Sequence, residues 1–441
     1  MHKRLAWWQL SLIGIGSIIG AGFFLGSGLS IGMAGPSVLI GYIIAGLATF
    51  IVFAALAEMT VNDPQPGSFR TYARLAFGRS AGFMSGWIYW LAGVLIMSSE
   101  IVALSTFTQY WFPNIPLGIF SVLYAVLGFG INFMGVRNFG AIESVFAVIK
   151  LTILILFILF GVLFVCGLLS TSPKVPIQPI GSHDWFPHGL SGLWSAMIFV
   201  FFSFGGIEVV GVTASELKRG EEIAKAGLTL LVVLVLVYVL ALFGVLKMTE
   251  PSAISDAASP FVTALSGFRI PYLGTLFNLI IISAAFSTMV GALFGVSRVM
   301  VSLAEDGDAP RSLKQVNSRG IASKSLWITA AALAVTIVCS YILPHTMYEY
   351  VSTAAGAMLI LNWILILASS LKLRSRSETN RGKLRIFTHP YGAYVGMALI
   401  LVAISGALLH RNERIGLGLS LALILLVFVA SRIVPYTGRR H

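Results

Sequence analysis

Two apolar segments broken by glycine, about 190 residues apart, constrain this chain more than any other feature. The first reads Gly14-Ile-Gly16-Ser17-Ile-Ile-Gly20-Ala21-Gly22, and the second Ser203-Phe204-Gly205-Gly206-Ile-Glu208. Each sits in a stretch long enough to cross a bilayer, yet each carries the residue that most weakens a helix interior. In lipid an unpaired backbone group costs several kcal/mol, so non-helical backbone survives only where protein or a watery cavity covers it. A matched pair of interruptions, one in each half, is the sequence mark of a secondary transporter's binding site.

Composition leaves one class open. The 441 residues are 57% hydrophobic and 10% charged, with a mean hydropathy of +0.91, whereas a soluble domain carries about 25% charged residues. Apolar runs near the roughly 20 residues a spanning helix needs fall at 7–29, 36–58, 82–110, 117–134, 141–169, 190–214, 225–247, 272–301, 325–343, 348–368, 391–409 and 413–433. The expectation is an all-α polytopic membrane protein with twelve transmembrane helices.

Loop charge sets the orientation. With the N-terminus in the cytoplasm, most of the 29 lysines and arginines face inward; Lys174, Lys247, Arg269, Arg411 and Arg414 face outward, and Lys150 is inside a span. Both termini are then cytoplasmic, in the cell membrane. The net charge of +12 follows from this topology and from anionic lipid at the inner surface, with no nucleic-acid partner implied. Cys166 and Cys339 lie in spans and suggest neither a disulfide framework nor a metal cluster. The N-terminal apolar run lacks a convincing cleavage site and is expected to remain as the first span.

The chain reads as one transmembrane transport domain. If the two broken segments open equivalent repeats, repeat one covers about 7–169 and repeat two about 190–368, with a terminal hairpin over about 391–433. Five spans per repeat would put the repeats in opposite orientations. Among the longer connections, 59–81 is basic with an amphipathic stretch around Tyr72, Leu75 and Phe77, and 248–271 contains a candidate lid helix at 260–265.

The broken segments supply the candidate site. Around Gly20, Ala21 and Gly22 the freed N–H groups and the positive end of the following half-helix suit a carboxylate, and Ser17 adds a hydroxyl. The competing reading is close helix packing through Gly16-x-x-x-Gly20. The second segment favours a site: Phe204 and its aromatic neighbours precede Gly205 and Gly206, whose freed carbonyls suit an ammonium, and Glu208 follows. An anion site facing a cation site is what an α-amino acid requires. Ionisable residues within or at the edge of spans are Glu58, Glu100, Lys150 and Glu208, functional candidates by default. Glu58 and Glu216 stand near cytoplasmic ends, where snorkelling or capping explains them equally well. Lys150 either gains and loses a proton during a cycle or forms a static ion pair with Glu100 or Glu208. Ser287, Thr288, Asn362 and Trp363 are ambiguous. No spacing of His, Cys or carboxylates implies a metal or other cofactor, and no nucleophile–base motif implies an enzyme.

Several of these stretches resemble one family. Ile13-Gly-Ile-Gly-Ser-Ile-Ile-Gly-Ala-Gly-Phe-Phe-Leu-Gly26 is similar to the first span of the amino acid–polyamine–organocation (APC) superfamily permeases, closest to their amino acid transporter branch. The resemblance continues in Ala55-Leu-Ala-Glu58-Met59, Pro66-Gly-Ser-Phe-Arg-Thr-Tyr72-Ala and Gly86-Trp87-x-Tyr89-Trp90. It recurs in Phe202-Ser-Phe-Gly-Gly-Ile-Glu208 with Ala214-Ser-Glu216, and in Ser297-Arg298-x-x-x-Ser302-Leu-Ala-x-Asp306-Gly-Asp308-Ala-Pro310. It implies a five-plus-five inverted repeat with discontinuous helices 1 and 6, plus two extra spans. It also implies proton-coupled uptake of an amino acid. By this likeness Ser17, Gly20, Ala21 and Gly22 take the substrate carboxylate, and Phe204, Gly205, Gly206 and Glu208 its amine and side chain. Glu100 matches an acidic residue of span 3, and Lys150 a lysine linked to proton coupling. The Gly205-Gly206 pair departs from relatives that often have a bulkier residue there, which leaves side-chain selectivity open. The expected function is a secondary active amino acid permease using proton symport, with an exchanger and a membrane amino acid receptor as rivals.

Overall fold

The computed structural model describes residues 6–65, 67–134, 139–169, 185–208, 210, 217, 222–255, 257–317, 321–342, 346–376 and 390–434. Lys174, Glu216 and the Ala214-Ser-Glu216 motif lie outside the described residues.

The first apolar run is three helices: α1 (Trp7–Ile18), α2 (Ala21–Phe24) and α3 (Gly26–Ala34). α1 stops because Ile19 and Gly20 are extended, at φ/ψ of −73/102° and −146/−156°. Only Leu25 separates α2 from α3, so they act as one half-helix. A 3-10 turn at Gly35–Ser37 then leads into α4 (Val38–Asn62). Gly35 takes φ of 59° there, and a Cβ on it would strike the Pro187 ring at 2.5 Å.

The chain continues through α5 (Phe69–Phe77), α6 (Arg79–Gln109), α7 (Leu117–Met134), α8 (Phe139–Val165) and α9 (Gly189–Phe202). It follows with α10 (Ile223–Met248), α11 (Pro260–Ser266), α12 (Leu273–Glu305), α13 (Ser323–Ile342), α14 (Met347–Arg376), α15 (Tyr391–Gly406) and α16 (Arg411–Ile433). After α9 the backbone turns over 203–206 and returns to helix at Ile207. Among the described residues, nine helical stretches are long and apolar enough to cross a membrane, Ala21–Asn62 counting as one, and Gly189–Phe202 and Tyr391–Gly406 are apolar but shorter. Val126, Leu159, Leu236, Val335 and Leu426 are more than half exposed. Apolar surface on that scale is solvated by lipid, where helices keep their own backbone groups paired. The protein is an all-α polytopic membrane protein.

α6 runs through the middle, packed against α12 and α14, while α1 lies against α8 and α10. α3 packs along α9, so the half-helix leaving the first break lies beside the helix entering the second. The expected lid is α11. Its Phe261 ring sits 5.2 Å from Phe23, 5.8 Å from Phe24 and 5.1 Å from Phe157, and Phe23 stacks on Tyr238 at 3.8 Å. These rings cover the half-helix just past the first break. Away from this layer, the acidic motif after α12 holds α5 and the start of α6. Asp306 pairs with Arg70 at 2.7 Å and Arg74 at 3.3 Å, and Asp308 with Arg79 at 3.0 Å.

Candidate functional site

The first break separates opposite helix ends. Carbonyls of residues 16–19 are left over at the end of α1, and N–H groups at the start of α2. A carboxylate meets the second set. Ala21 N–H donates to both oxygens of Glu100, at 3.0 and 3.1 Å, which puts negative charge at the positive end of the α2–α3 half-helix. Gly20 is required here, because a Cβ would collide with Glu100 Oε1 and lie 2.9 Å from Thr288 Cγ2.

A lysine meets the leftover carbonyls. Lys150 Nζ donates to Gly16 O at 2.6 Å and to Thr288 Oγ1 at 2.8 Å, and Thr288 in turn donates to Ile19 O at 3.0 Å. Lys150 is wholly buried. Neither Glu100 nor Glu208 forms its ion pair; the carboxylate within pairing distance is Glu143 on α8, with Oε1 3.7 Å from Nζ. The alternative of a static pair with Glu100 or Glu208 is thus not what forms, and Glu143 is a buried acid within a span that the sequence reading did not single out. Seven residues separate Glu143 from Lys150, two helical turns, a spacing that would have put them on one face. Thr288, Ser17 and Ser287 carry hydroxyls in the spans, but only Thr288 reaches across. Ser17 Oγ donates to Ile13 O of its own helix at 2.9 Å, and Ser287 Oγ to Ala284 O at 3.1 Å.

The second break is pinned to the first. Ser203 Oγ donates to Gly22 O at 2.8 Å and lies 3.0 Å from Tyr42 OH, and Tyr238 OH donates to Ser203 O at 3.1 Å. Tyr348 on α14 donates to Ala21 O at 2.8 Å. Gly206 has φ of 107°, and a Cβ there would stand 2.9 Å from Ser17 O. Gly205 lies against Leu359, Phe204 is fully buried, and Gly22 faces the Phe202 ring. The Glu208 carboxylate is buried between two neutral donors. Gly206 N–H reaches Oε2 at 3.2 Å, and the Trp363 indole N–H reaches Oε1. Each oxygen keeps lone pairs for a further donor.

Two clusters therefore meet at the crossing of the broken segments. Gly20, Ala21, Glu100 and Lys150 form one; Gly206, Glu208 and Trp363 form the other. Ser17 touches the second through its backbone alone. A separate apolar cavity of about 580 Å³, between α6, α16 and the turn at 307–311 and lined by Trp87, Trp90 and Leu426, involves neither break. The signals for Tyr42, Tyr238 and Tyr348 were absent locally, since each acts on a backbone atom remote in sequence.

Paired helix breaks joined over buried carboxylates and a buried lysine, within a polytopic helical membrane protein, define a membrane transport protein. The sequence model of the amino acid permease family matches residues 9–430, and the chain belongs to that family of transporters, within the APC superfamily. It is 41% identical over 429 residues to an uncharacterized transporter, YcgH, of Bacillus subtilis, covering 97% of this chain and 94% of that protein. It is 32% identical over 406 residues to the uncharacterized amino acid permease YtnA of the same organism, covering 91% and 88%. The aromatic amino acid transport protein AroP of Escherichia coli K12 is 32% identical over 405 residues, covering 89% and 87%.

Proposed function

We propose that this protein imports an amino acid across the cell membrane by proton symport, with both termini cytoplasmic. The fold would be built from inverted five-span repeats over about 7–169 and 190–368. The observation that carries this reading is Glu100 on the Ala21 N–H. That donor is where a substrate carboxylate is expected to bind, and it holds a side-chain carboxylate in its place. Two carboxylates cannot both accept from it as anions, because like charges in contact disfavour the charged form. Substrate arrival then requires Glu100 to turn away, and a proton on the Glu100 carboxyl removes the repulsion. Substrate and proton thus enter together.

Lys150 occupies the other side of the same break. Its ammonium ties Gly16 O and Thr288 together, and losing its proton weakens both bonds. A change of protonation at Lys150 would loosen the end of α1, which is how a proton cycle can move a helix break. Gly20, Ala21 and Gly22 would take the substrate carboxylate with Ser17 at the margin. Phe204, Gly205, Gly206 and Glu208 would face its amine and side chain. The aromatic wall before the second break, and the likeness to an aromatic amino acid transport protein, support a neutral, hydrophobic or aromatic amino acid as substrate.

The test is purified protein in sodium-free vesicles, with labelled phenylalanine outside and an inward proton gradient. Accumulation that collapses with a protonophore and in Lys150→Ala is the expected result. Uptake that requires sodium and survives Lys150→Ala would sink the coupling. Uptake seen only after preloading, without a pH response, would identify an exchanger.

A further inference from the structure

Glu143 is a buried acid on α8 that the scheme above leaves without a task. It is 2% exposed. It stands seven residues before Lys150, about 10 Å nearer the start of the helix at 1.5 Å per residue. α8 begins at Phe139, so Glu143 is within about 6 Å of that end along the axis.

Its geometry does not suit a plain counter-ion. A settled ammonium–carboxylate pair closes to about 2.7–2.9 Å, yet Glu143 Oε1 stays 3.7 Å from Lys150 Nζ. That oxygen accepts no hydrogen bond among the described residues. A buried acceptor left in this state is destabilising, because it has given up water without gaining a donor. Meanwhile two of the three ammonium N–H groups already go to Gly16 O and Thr288 Oγ1. The third N–H and the idle oxygen are the unspent pair of this cluster. Gly16 keeps the space between them open, since a Cβ there would lie 2.7 Å from Oε1 and 3.0 Å from the Glu143 carbonyl.

Among the described residues, few charged groups surround Glu143. On its own helix it faces Lys150, with Glu100 of α6 beyond. α1, packed on this face, contains no titratable residue; α12 brings the neutral Thr288 and, further along, Arg298, 5.2 Å over the Phe294 ring. On α10, Lys225 is held 4.1 Å above the Trp7 ring and Tyr238 bonds Ser203. Among the described residues, Lys150 is the proton donor that stands next to Glu143.

We propose that Glu143 receives the coupling proton from Lys150 and delivers it to the side of the membrane at which α8 begins. A small rotation of the carboxyl closes the gap. The Nζ–H bond breaks as an Oε1–H bond forms, leaving a neutral amine and a neutral acid. The acid then gives the proton to water at that end of α8 and returns to carboxylate. The inference rests on the proton-symport reading, because it supplies the exit step of that cycle.

Glu143→Gln keeps the shape and removes the proton acceptor. In proteoliposomes two rates separate the possibilities: accumulation of labelled phenylalanine driven by a proton gradient, and counterflow into preloaded vesicles at equal pH. Counterflow exchanges the loaded protein back and forth and needs no net proton release. The expected result is accumulation reduced about tenfold or more, with counterflow retained, and with part of the accumulation restored in Glu143→Asp. An equal loss of both rates, at any level of folded protein, means a structural role and overturns the proposal. Accumulation that keeps its wild-type rate and pH profile in Glu143→Gln overturns it as well. If the wild-type protein itself ignores the proton gradient, the symport reading has failed, an outcome read from a different sample.

Discussion

Gly206 ties the two broken segments together through the absence of a side chain. Its φ of 107° is a conformation that side chains rarely adopt, and the vacant Cβ position faces Ser17 O at 2.9 Å. Gly206→Ala therefore adds backbone strain of about 1–3 kcal/mol and pushes α1 from the second break. Substrate uptake should fall together with the apparent Tm in detergent, and an unchanged Tm would show that the two segments are not pinned here. Glu100 makes a different kind of prediction. If it must be neutralised before a substrate carboxylate can reach Ala21 N–H, then protons bind together with substrate, and by linkage affinity rises as pH falls. Glu100→Gln removes the competing charge at almost constant shape. Calorimetric titration with phenylalanine should show wild-type affinity weakening as pH increases and the variant holding a nearly flat profile. A variant that keeps the wild-type slope would place the titrating group elsewhere.

The helices differ in how directly their sequences announce them. The twelve apolar runs each contain helix among the described residues, because spanning length and hydropathy are local properties. Both breaks were legible too, although single glycines such as Gly93 and Gly227 serve helix packing against Val296 and Phe53; the matched clusters in the two halves, the second followed by Glu208, marked the breaks. Partners were not. Tyr348 and Trp363 both project from α14 onto the breaks, one to Ala21 O and one to Glu208, and nothing near them in the chain signals this. Glu143 escaped notice because it sits near the start of its span, where an acid passes for a capping residue. The helix offered as a candidate lid was readable as a short helix beginning at Pro260, but what it packs on was not. Its central ring, Phe261, meets residues from α2, α8 and α12. Phe261→Ala should remove about 3 kcal/mol of packing at this junction, seen as a lower apparent Tm. It should also open the ring layer, so that an impermeant thiol reagent reaches Phe24→Cys from the lid side. Continued protection of that cysteine would mean that α11 does not seal the path.

At the scale of the whole molecule, the two faces of the crossing are unequal. On the lid side Phe23, Phe24, Tyr42, Tyr238 and Phe261 are fully buried. On the other, Ser17, Gly205 and Gly206 keep partial exposure although Phe204 and Glu208 between them have none. Under an alternating-access reading of the proposed transport, one side sealed and the other thinly covered is one state of the cycle, and a ligand shifts such states only through differential affinity. The conformation predicts the side of approach. In a Cys166→Ser, Cys339→Ser background, Ser17→Cys should react with an impermeant maleimide from the face where α1 begins, and far more slowly from the lid face. If the substrate carboxylate binds at Gly20–Gly22 as proposed, within a few residues of position 17, saturating phenylalanine should slow the reaction from the open face. Inside-out and right-side-out vesicles separate the two directions and also report where the N-terminus lies. Equal labelling from both faces would mean that the breaks line no gated path, and the pairing of a sealed aromatic layer with a half-covered glycine turn would then be packing alone.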